Sequence, residues 1–451
     1  MQDKLKLYGL FLGPLVFLII CFLPLPANLT QPALYCGAVT ALMAIWWITE
    51  AIPIPATSLI PIVLFPLLQI LPTSKVTPAY SNHLIYLFIL SMWVSNTATT
   101  VMMMPIGMAI INACADITGN HDHSKNPFAI GLMLSLAYAA SIGGIATLIG
   151  TPPNVIMVAQ LDKMYGQTIN FAQWMLIGVP LAATFLIMAW VLVTKILFPV
   201  HGDILMGKGE ELVRSEIEKL GPMKREEKLI ALVFFAAAVT WIVMGLVKIP
   251  LFKGVSDATV AVTAALILFL IPSDLKKGVF LLDWKTAVKI PWDVILLFGG
   301  GLALADAFQN TGLTKFIASG LTDLNGLPVI IILGAIVTLN IFLTEVTSNT
   351  AVATLMIPIM GAIAVGMGIH PFGPIMAACI ACSYAFMLPV ATPPNAVVFG
   401  SGAVTIRQMA KTGWWLNILG IFQITLIVYY LAPIVLGIDL NVLPDWAIPK
   451  K

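Results

Sequence analysis

Residues 348–351 of this chain read SNTA, and residues 95–98 read SNTA as well. The two copies interrupt long apolar stretches, 328–367 and 83–113. Ser, Asn and Thr are poor residues inside a helix but good residues at its N-terminal cap. Because a helix-competent run follows each triplet and an apolar run precedes it, the pattern predicts two helical hairpins, each with a polar triplet at its tip.

The composition places these hairpins in a membrane. The chain has 451 residues, of which 59% are hydrophobic and 10% charged, and its mean hydropathy is +0.98. Soluble domains carry about 25% charged residues, and no soluble fold of this size hides so much apolar surface. Since a spanning backbone must satisfy its own hydrogen bonds, an all-α polytopic membrane protein is predicted. The net charge of +2 says little about partners, but the sequence has no basic block suited to nucleic acid.

Charge distribution predicts the sidedness. The loop 200–228 carries six Lys and Arg residues, and 273–290 carries four Lys residues, which places both in the cytoplasm. The N-terminus is then inside and the C-terminus outside, with a retained first span. The remaining stretches long enough to span are 7–25, 33–49, 54–72, 128–160, 172–199, 229–247, 256–272, 292–309, 373–400 and 413–437.

The two triplets belong to an internal repeat. Around them a hydroxyl residue, the triplet, a Met and a Pro keep identical offsets, with Glu345 of the second copy opposite Met92 of the first. Further on, GTPPN (150–154) corresponds to ATPPN (391–395). Ordered motifs that share offsets indicate a duplication. An odd number of crossings separates the copies, so an inverted repeat typical of transporters is predicted.

These motifs indicate ion and anion binding. Consecutive prolines break a helix within the membrane and free its carbonyls, which together with Ser, Thr and Asn oxygens suit Na⁺. Free N–H groups at a helix start suit an anion. Residues 76–112, 128–160 and 351–406 contain no Lys, Arg, Asp or Glu. Positive charge for an anion must therefore come from helix ends and bound cations, which couples the two ligands thermodynamically.

Two other features of the sequence each allow two interpretations. Glu345 lies one turn before the second triplet and is either a proton or ion site or a structural residue. Cys379 and Cys382 have CxxC spacing, but no further Cys or His cluster accompanies them, which favours two small residues on one helix face over a metal or redox site.

Taken together, WWITEAIPIP (46–55), SMWVSNTATT (91–100), LTEVTSNTAVA (343–353) and the two TPPN motifs resemble the divalent anion/sodium symporter family of dicarboxylate, citrate and sulfate carriers. The resemblance implies a homodimer in the bacterial plasma membrane, with re-entrant hairpins, broken helices and an elevator mechanism. It also implies scaffold and transport parts, which would be 1–82 (scaffold), 83–199 (first transport half), 200–228 (cytoplasmic loop), 229–325 (scaffold) and 326–451 (second transport half).

The resemblance further implies site residues and ligands. No organic cofactor is expected, and sodium would be the coupling ion. One sodium site would use Ser91, Ser95, Asn96 and the Gly150 region, and the other Thr344, Thr347, Asn349 and Ala391. Contacts to a dicarboxylate would come from Asn96, Thr97, Ser348, Asn349, Thr350 and Thr392, with Thr151 and Pro393 adjacent.

The chain departs from the family in its first repeat. About 40 residues that follow VILLFGGG (294–301) in the second copy have no counterpart after LIYLFIL (84–90) in the first. The remaining limb, 83–94, would give roughly 18 Å of helix, too short for a limb and a span. A distorted first hairpin is therefore predicted, with 83–113 crossing once.

The combined reading is sodium-coupled transport of a small dicarboxylate such as succinate, malate or fumarate. The alternatives are an anion exchanger for dicarboxylates or tricarboxylates without net sodium coupling, a transport-impaired shortened homologue, and a polytopic membrane enzyme. The enzyme is disfavoured because the sequence offers no nucleophile–base pair or metal cluster.

Overall fold

The protein is helical throughout most of the part that the computed structural model describes. The described residues are 2–25, 29–49, 51–52, 57, 60–71, 96–118, 122–199, 222–247, 255, 257–274, 279–288, 296, 299–300, 303, 307, 311 and 327–448. The predicted loop 200–228 lies mostly outside them, as do 83–95 and most of 292–309. Six helices in the described ranges are long and apolar enough to cross a membrane. This agrees with a polytopic helical membrane protein.

The first half consists of seven described helices and a 3₁₀ turn at His123–Lys125. They are α1 (Gln2–Cys21), α2 (Gln31–Thr49), α3 (Ile60–Leu67), α4 (Asn96–Thr118), α5 (Pro127–Ile145), α6 (Pro152–Tyr165) and α7 (Phe171–Val191), which continues as a π-helix (Leu192–Leu197).

The second half adds nine described helices and a small strand pair. The helices are α8 (Arg225–Leu246), α9 (Asp257–Leu270), α10 (Trp284–Ala287), α11 (Val329–Glu345), α12 (Asn349–Gly366), α13 (Phe372–Ala381), α14 (Pro393–Gly400), α15 (Ile406–Leu426) and α16 (Ala432–Leu436), with a π turn (Ile427–Leu431) before α16 and a 3₁₀ turn (Asp445–Ala447) near the end. Strands β1 (Pro272–Asp274) and β2 (Val279–Phe280) pair antiparallel. The sequence did not predict them; Pro272 cannot continue α9, because it lacks a backbone donor.

Both TPPN motifs break a helix, as the prolines require. The predicted stretch 128–160 forms α5 and α6, and 373–400 forms α13 and α14. We call the connecting segments the first bend (146–151) and the second bend (382–392). Thr151 and Thr392 precede the new helices with nearly the same backbone, φ −147° and ψ 142° against φ −141° and ψ 148°. The prolines occupy the first helical positions, where a missing N–H costs nothing.

Each triplet lies at the N-terminal side of a described helix. Ser348 is the N-cap of α12, and only Val346, Thr347 and Ser348 separate this helix from α11. In the first copy the described part of α4 covers Asn96–Thr118, 23 residues. The limb before it, 83–94, falls outside the described residues, so the distorted first hairpin stays a prediction.

The four motif helices, which carry a triplet (α4 and α12) or a TPPN motif (α6 and α14), pack in a crossed arrangement. The first triplet helix, α4, packs against α5 of its own half and α14 of the other, while the second, α12, packs against α13 of its own half and α6 of the other. The core of the protein thus forms between the two copies. Many large apolar side chains of the described residues are exposed, among them Phe11, Trp190 and Phe422, as expected for a surface in contact with lipid.

The C-terminal segment packs against the loop between α12 and α13. Leu440 O accepts a 3.0 Å hydrogen bond from the backbone N–H of His370, in the loop between α12 and α13. The Trp446 ring packs edge-on against His370 and Tyr165, with centroids 5.4 Å apart in both pairs. The backbone N–H of Phe372 donates to His370 Nδ1 at 3.2 Å, which requires a neutral imidazole.

His370 makes the stability of the folded protein, with its C-terminal segment packed in place, sensitive to acid. Burial lowers the pKa of His370 from its usual 6.5 to about 4, with Asp439 opposing the shift. The unfolded chain therefore binds the extra proton first, and we expect stability to fall as the pH drops from about 6.5 to about 4. Thermal unfolding of the purified protein across this range measures the effect. His370→Asn keeps an acceptor for Phe372 N–H, and its unfolding temperature should vary less with pH; an unchanged slope would contradict this assignment.

Candidate functional site

The first triplet meets the first bend. Asn96 and Thr97, at the start of α4, are half-buried. A methyl group built on Gly144 would come within 2.8 Å of Asn96 Nδ2 and 2.9 Å of Gly150 O, so the three residues meet at one point, and only glycine fits at position 144. Asn96 and Gly150 were predicted to share a sodium site, and they lie together. Ser91 and Ser95 lie outside the described residues.

The second triplet gathers oxygen atoms. Thr344 Oγ1 donates to Asn349 Oδ1 at 2.6 Å and to Cys382 O at 2.9 Å. With the Asn349 amide oriented this way, one hydroxyl proton faces two acceptors, so it cannot fully satisfy both. We call Thr344 Oγ1, Asn349 Oδ1 and Cys382 O the oxygen cluster. Three neutral oxygens from side chains and an unwound backbone form the kind of ligand set that binds Na⁺ in transporters.

Two other predicted sodium ligands lie differently. Thr347 Oγ1 donates to Trp47 O of α2 at 3.5 Å, so the hydroxyl turns away from the oxygen cluster. Ala391 is buried in the second bend, and its N–H donates to Leu388 O. For both residues, the backbone carbonyl is the only oxygen left to bind a cation at the cluster.

The predicted substrate residues occupy tips and bends. Ser348, Asn349 and Thr350 are half-buried, like Asn96 and Thr97 in the other copy. The Ser348 side chain forms no capping hydrogen bond, which leaves its hydroxyl available. The remaining residues flank the bends: Thr151 and Thr392 are buried, and Pro393 is exposed.

An asparagine secures each bend, and the sequence analysis did not assign this role. Asn154 Nδ2 donates to Thr147 O at 2.8 Å, and Asn395 Nδ2 donates to Leu388 O at 3.0 Å. Both bonds reach back seven residues. Asn395 also donates to Ala385 O at 3.1 Å. The signal was present, since Asn follows the prolines in both motifs.

Each half also supports the other half's motif. Tyr138 of α5 donates its hydroxyl proton to Phe386 O, in the second bend, at 2.9 Å. Cys379 Sγ of α13 lies 3.3 Å from Pro153 O in α6, whereas Cys382 Sγ lies 3.8 Å from Asn340 Oδ1. The two thiols thus face different partners. No group of three His, Cys, Asp or Glu side chains suited to a metal occurs in the described ranges.

Comparison with known proteins supplies a family. A model described as the sodium:sulfate symporter transmembrane region matches residues 4–95 and 84–437. Proteins called sodium-dependent dicarboxylate transporter SdcS, from Staphylococcus aureus strains MRSA252, NCTC 8325 / PS 47 and COL, are 40% identical to this chain over 484 aligned positions. The alignments cover 97% of this chain and 93% of each relative. They are longer than the chain, so these relatives contain segments that it lacks.

The two asparagines provide a matched pair for mutation. Asn395→Ala would remove two hydrogen bonds and leave the carbonyl of Ala385 without a partner, whereas Asn154→Ala would remove one bond from Thr147 O, which still accepts from the N–H of Gly150. An unsatisfied buried group costs about 1–3 kcal/mol. We expect Asn395→Ala to lower the unfolding temperature in detergent about twice as much as Asn154→Ala. Equal or reversed effects would show that these bonds do not hold the bends.

Proposed function

We propose that this chain, which belongs to the sodium:sulfate symporter family, is a secondary active transporter that moves a small dicarboxylate together with sodium ions. The printed name of its 40% identical relatives supports this substrate class. The observation that carries the proposal is the crossed packing of the four motif helices, with the oxygen cluster at the second triplet. Since the family is one of transporters, the membrane enzyme is set aside.

The dicarboxylate would bind between the two triplets. Helix α12 starts directly after Ser348, and the sequence predicts an equivalent start for α4 at the first triplet. The free N–H groups of a helix start attract a carboxylate. Two such starts suit a substrate with two carboxylates, and no Lys or Arg occurs in 76–112 or 351–406 to bind either one. The substrate contacts we propose are Asn96, Thr97, Ser348, Asn349, Thr350 and Thr392, with Thr151 and Pro393 adjacent.

Sodium would bind beside each triplet. We assign the first site to Ser91, Ser95, Asn96 and Gly150, and the second to Thr344, Thr347, Asn349 and Ala391. The meeting of Asn96 with Gly150 supports the first site, and the oxygen cluster supports the second, with Cys382 O as an additional ligand. A bound cation beside a helix start strengthens the attraction for a carboxylate. Each ligand then raises the affinity for the other, which is the coupling that symport requires.

The molecular architecture we propose is an inverted repeat in an elevator-type dimer. Its scaffold would comprise 1–82 and 229–325, and its transport part 83–199 and 326–451, joined by the cytoplasmic loop 200–228. The matching Thr151 and Thr392 backbones and the seven-residue reach of Asn154 and Asn395 support the repeat. The N-terminus would face the cytoplasm and the C-terminus the outside of a bacterial plasma membrane.

A second candidate is a transport-impaired, shortened homologue. The family match falls into two pieces that meet at residues 84–95, where the sequence predicts the missing segment of about 40 residues. The alignment to the relatives is also longer than this chain. If the absent segment is needed for movement, the site would bind its ligands without carrying them across.

Uptake into proteoliposomes distinguishes these functions. We expect the chain to accumulate radiolabelled succinate when an inward sodium gradient is imposed. Asn96→Ala and Asn349→Ala should each lower uptake at least about tenfold, because each removes a side chain at a triplet, while Asn441→Ala, in an exposed loop, should leave it unchanged. Counterflow that ignores sodium would support the exchanger. Sodium-dependent succinate binding without uptake would support the impaired homologue.

The two threonines test the second sodium site. Thr344→Val removes a hydroxyl from the oxygen cluster, whereas Thr347→Val removes one that faces Trp47 O. We expect Thr344→Val to raise the sodium concentration for half-maximal succinate uptake about tenfold, and Thr347→Val to change it less than threefold. A larger effect of Thr347→Val would move the cation site away from the oxygen cluster.

A further inference from the structure

Glu345 is a buried carboxylate in an otherwise uncharged region. It is the only Asp, Glu, Lys or Arg between residues 327 and 406, and its residue exposure is 3%. Within the described residues no cationic side chain forms a salt bridge with it. A buried charge without a counter-ion is strongly unfavourable unless hydrogen bonds compensate for it. The arrangement around Glu345 therefore calls for a specific function.

The carboxylate is fully occupied by donors. Its Oε1 accepts from the N–H groups of Phe386 and Met387, at 2.8 and 3.0 Å, and from Asn417 Nδ2 of α15 at 2.7 Å. Its Oε2 accepts from the N–H groups of Met387 and Leu388, at 3.0 and 3.2 Å. A carboxylate has about four lone-pair positions, and four donors, which make five contacts because the Met387 N–H is shared by both oxygens, fill them. This geometry favours a role in holding the backbone over a role as an ion ligand.

The two bends differ in how far the preceding helix extends, and the difference lies at the backbone segment that Glu345 binds. When the TPPN motifs are aligned, Phe386 corresponds to Ile145. Helix α5 continues to Ile145, but α13 ends at Ala381, more than a turn earlier. Phe386, whose counterpart lies within α5, has no helical acceptor in the second copy, and Glu345 binds its N–H group together with those of Met387 and Leu388. The first copy has Met92 at the equivalent position, which offers no acceptor for such groups.

The hydrogen bond from the Phe386 N–H to Glu345 leaves a carbonyl of the oxygen cluster without its helical donor. In a continuous helix the N–H of Phe386 would donate to Cys382 O, four residues earlier. Because Phe386 donates to Glu345 instead, Cys382 O accepts from Thr344 and lies in the oxygen cluster. Thr344 and Glu345 are neighbours at the end of α11. The end of α11 therefore supplies both the carboxylate that accepts from the Phe386 N–H and the hydroxyl that donates to the Cys382 carbonyl.

We propose that Glu345 is a positioning residue, oriented by Asn417, that keeps the second bend unwound and so presents Cys382 O to the sodium ion. The role rests on the proposed function for its ion, but the hydrogen bonds are present without one. Aromatic packing fixes the same segment, since Phe386 contacts Tyr138 and Phe185 with centroids 5.3 and 5.7 Å apart. Glu345 thus acts through backbone geometry and does not touch the sodium ion.

Two variants separate positioning from ion binding in the purified full chain. Glu345→Gln places an NH₂ group where an acceptor is needed, and Asn417→Ala removes one donor but keeps the negative charge. Thr425→Ala, on the same helix and bonded only to its own backbone at Ile421 O, is the control. Hydrogen exchange of a peptide covering 386–388, in sodium-free buffer, reports the bend. Thermal stabilisation by added sodium chloride, against choline chloride, reports the ion.

Positioning predicts that both variants act in the same direction. Exchange at 386–388 should speed up at least about tenfold in Glu345→Gln and less in Asn417→Ala, and the half-maximal sodium concentration should rise in the same order. Thr425→Ala should change neither. Unchanged exchange in Glu345→Gln overturns the proposal, as does unchanged or tighter sodium binding in Asn417→Ala, since an ion ligand relieved of a donor would bind sodium at least as well. If the wild-type protein shows no sodium response, the proposed function fails, while the exchange result still decides the role of Glu345.

Discussion

The structure depends on one constraint: inside a membrane, every backbone N–H and C=O group needs a partner within the protein. A continuous helix meets this requirement by itself, and a broken helix does not. The freed groups must be matched by side chains from elsewhere. At the second bend these partners are Asn395 and Tyr138 for carbonyls and Glu345 for N–H groups. At the first bend they are Asn154 and Trp174, whose Nε1 donates to Ile145 O at 3.0 Å.

The same constraint explains why the two halves pack across each other. A bend cannot obtain all its partners from its own neighbouring helices, so Tyr138 of the first half reaches Phe386 of the second. In return, the Cys379 thiol lies against Pro153 O of the first half. Each bend therefore depends on contacts from the other half of the chain.

The copies are related but unequal, and the difference has a chemical origin. Glu345 supplies acceptors that let the chain unwind early in the second copy, whereas the corresponding part of the first copy stays helical to Ile145. The oxygen cluster therefore contains the backbone carbonyl of Cys382, held next to a threonine hydroxyl. The first site relies on Asn96 against the closely packed backbones of Gly144 and Gly150.

The sequence by itself determined the class of polytopic helical membrane protein, the positions of both helix breaks and the start of the second triplet helix. These depend on local chemistry: composition, the missing donor of proline, and the capping preference of Ser, Asn and Thr. Only the tertiary structure decided that the Thr347 hydroxyl turns toward Trp47 while the hydroxyl of Thr344, three residues earlier, joins the oxygen cluster. It also decided that Glu345 binds Phe386, 41 residues away. Such partners are chosen by how helices pack, and packing depends on side chains that are distant in sequence, which no local pattern records.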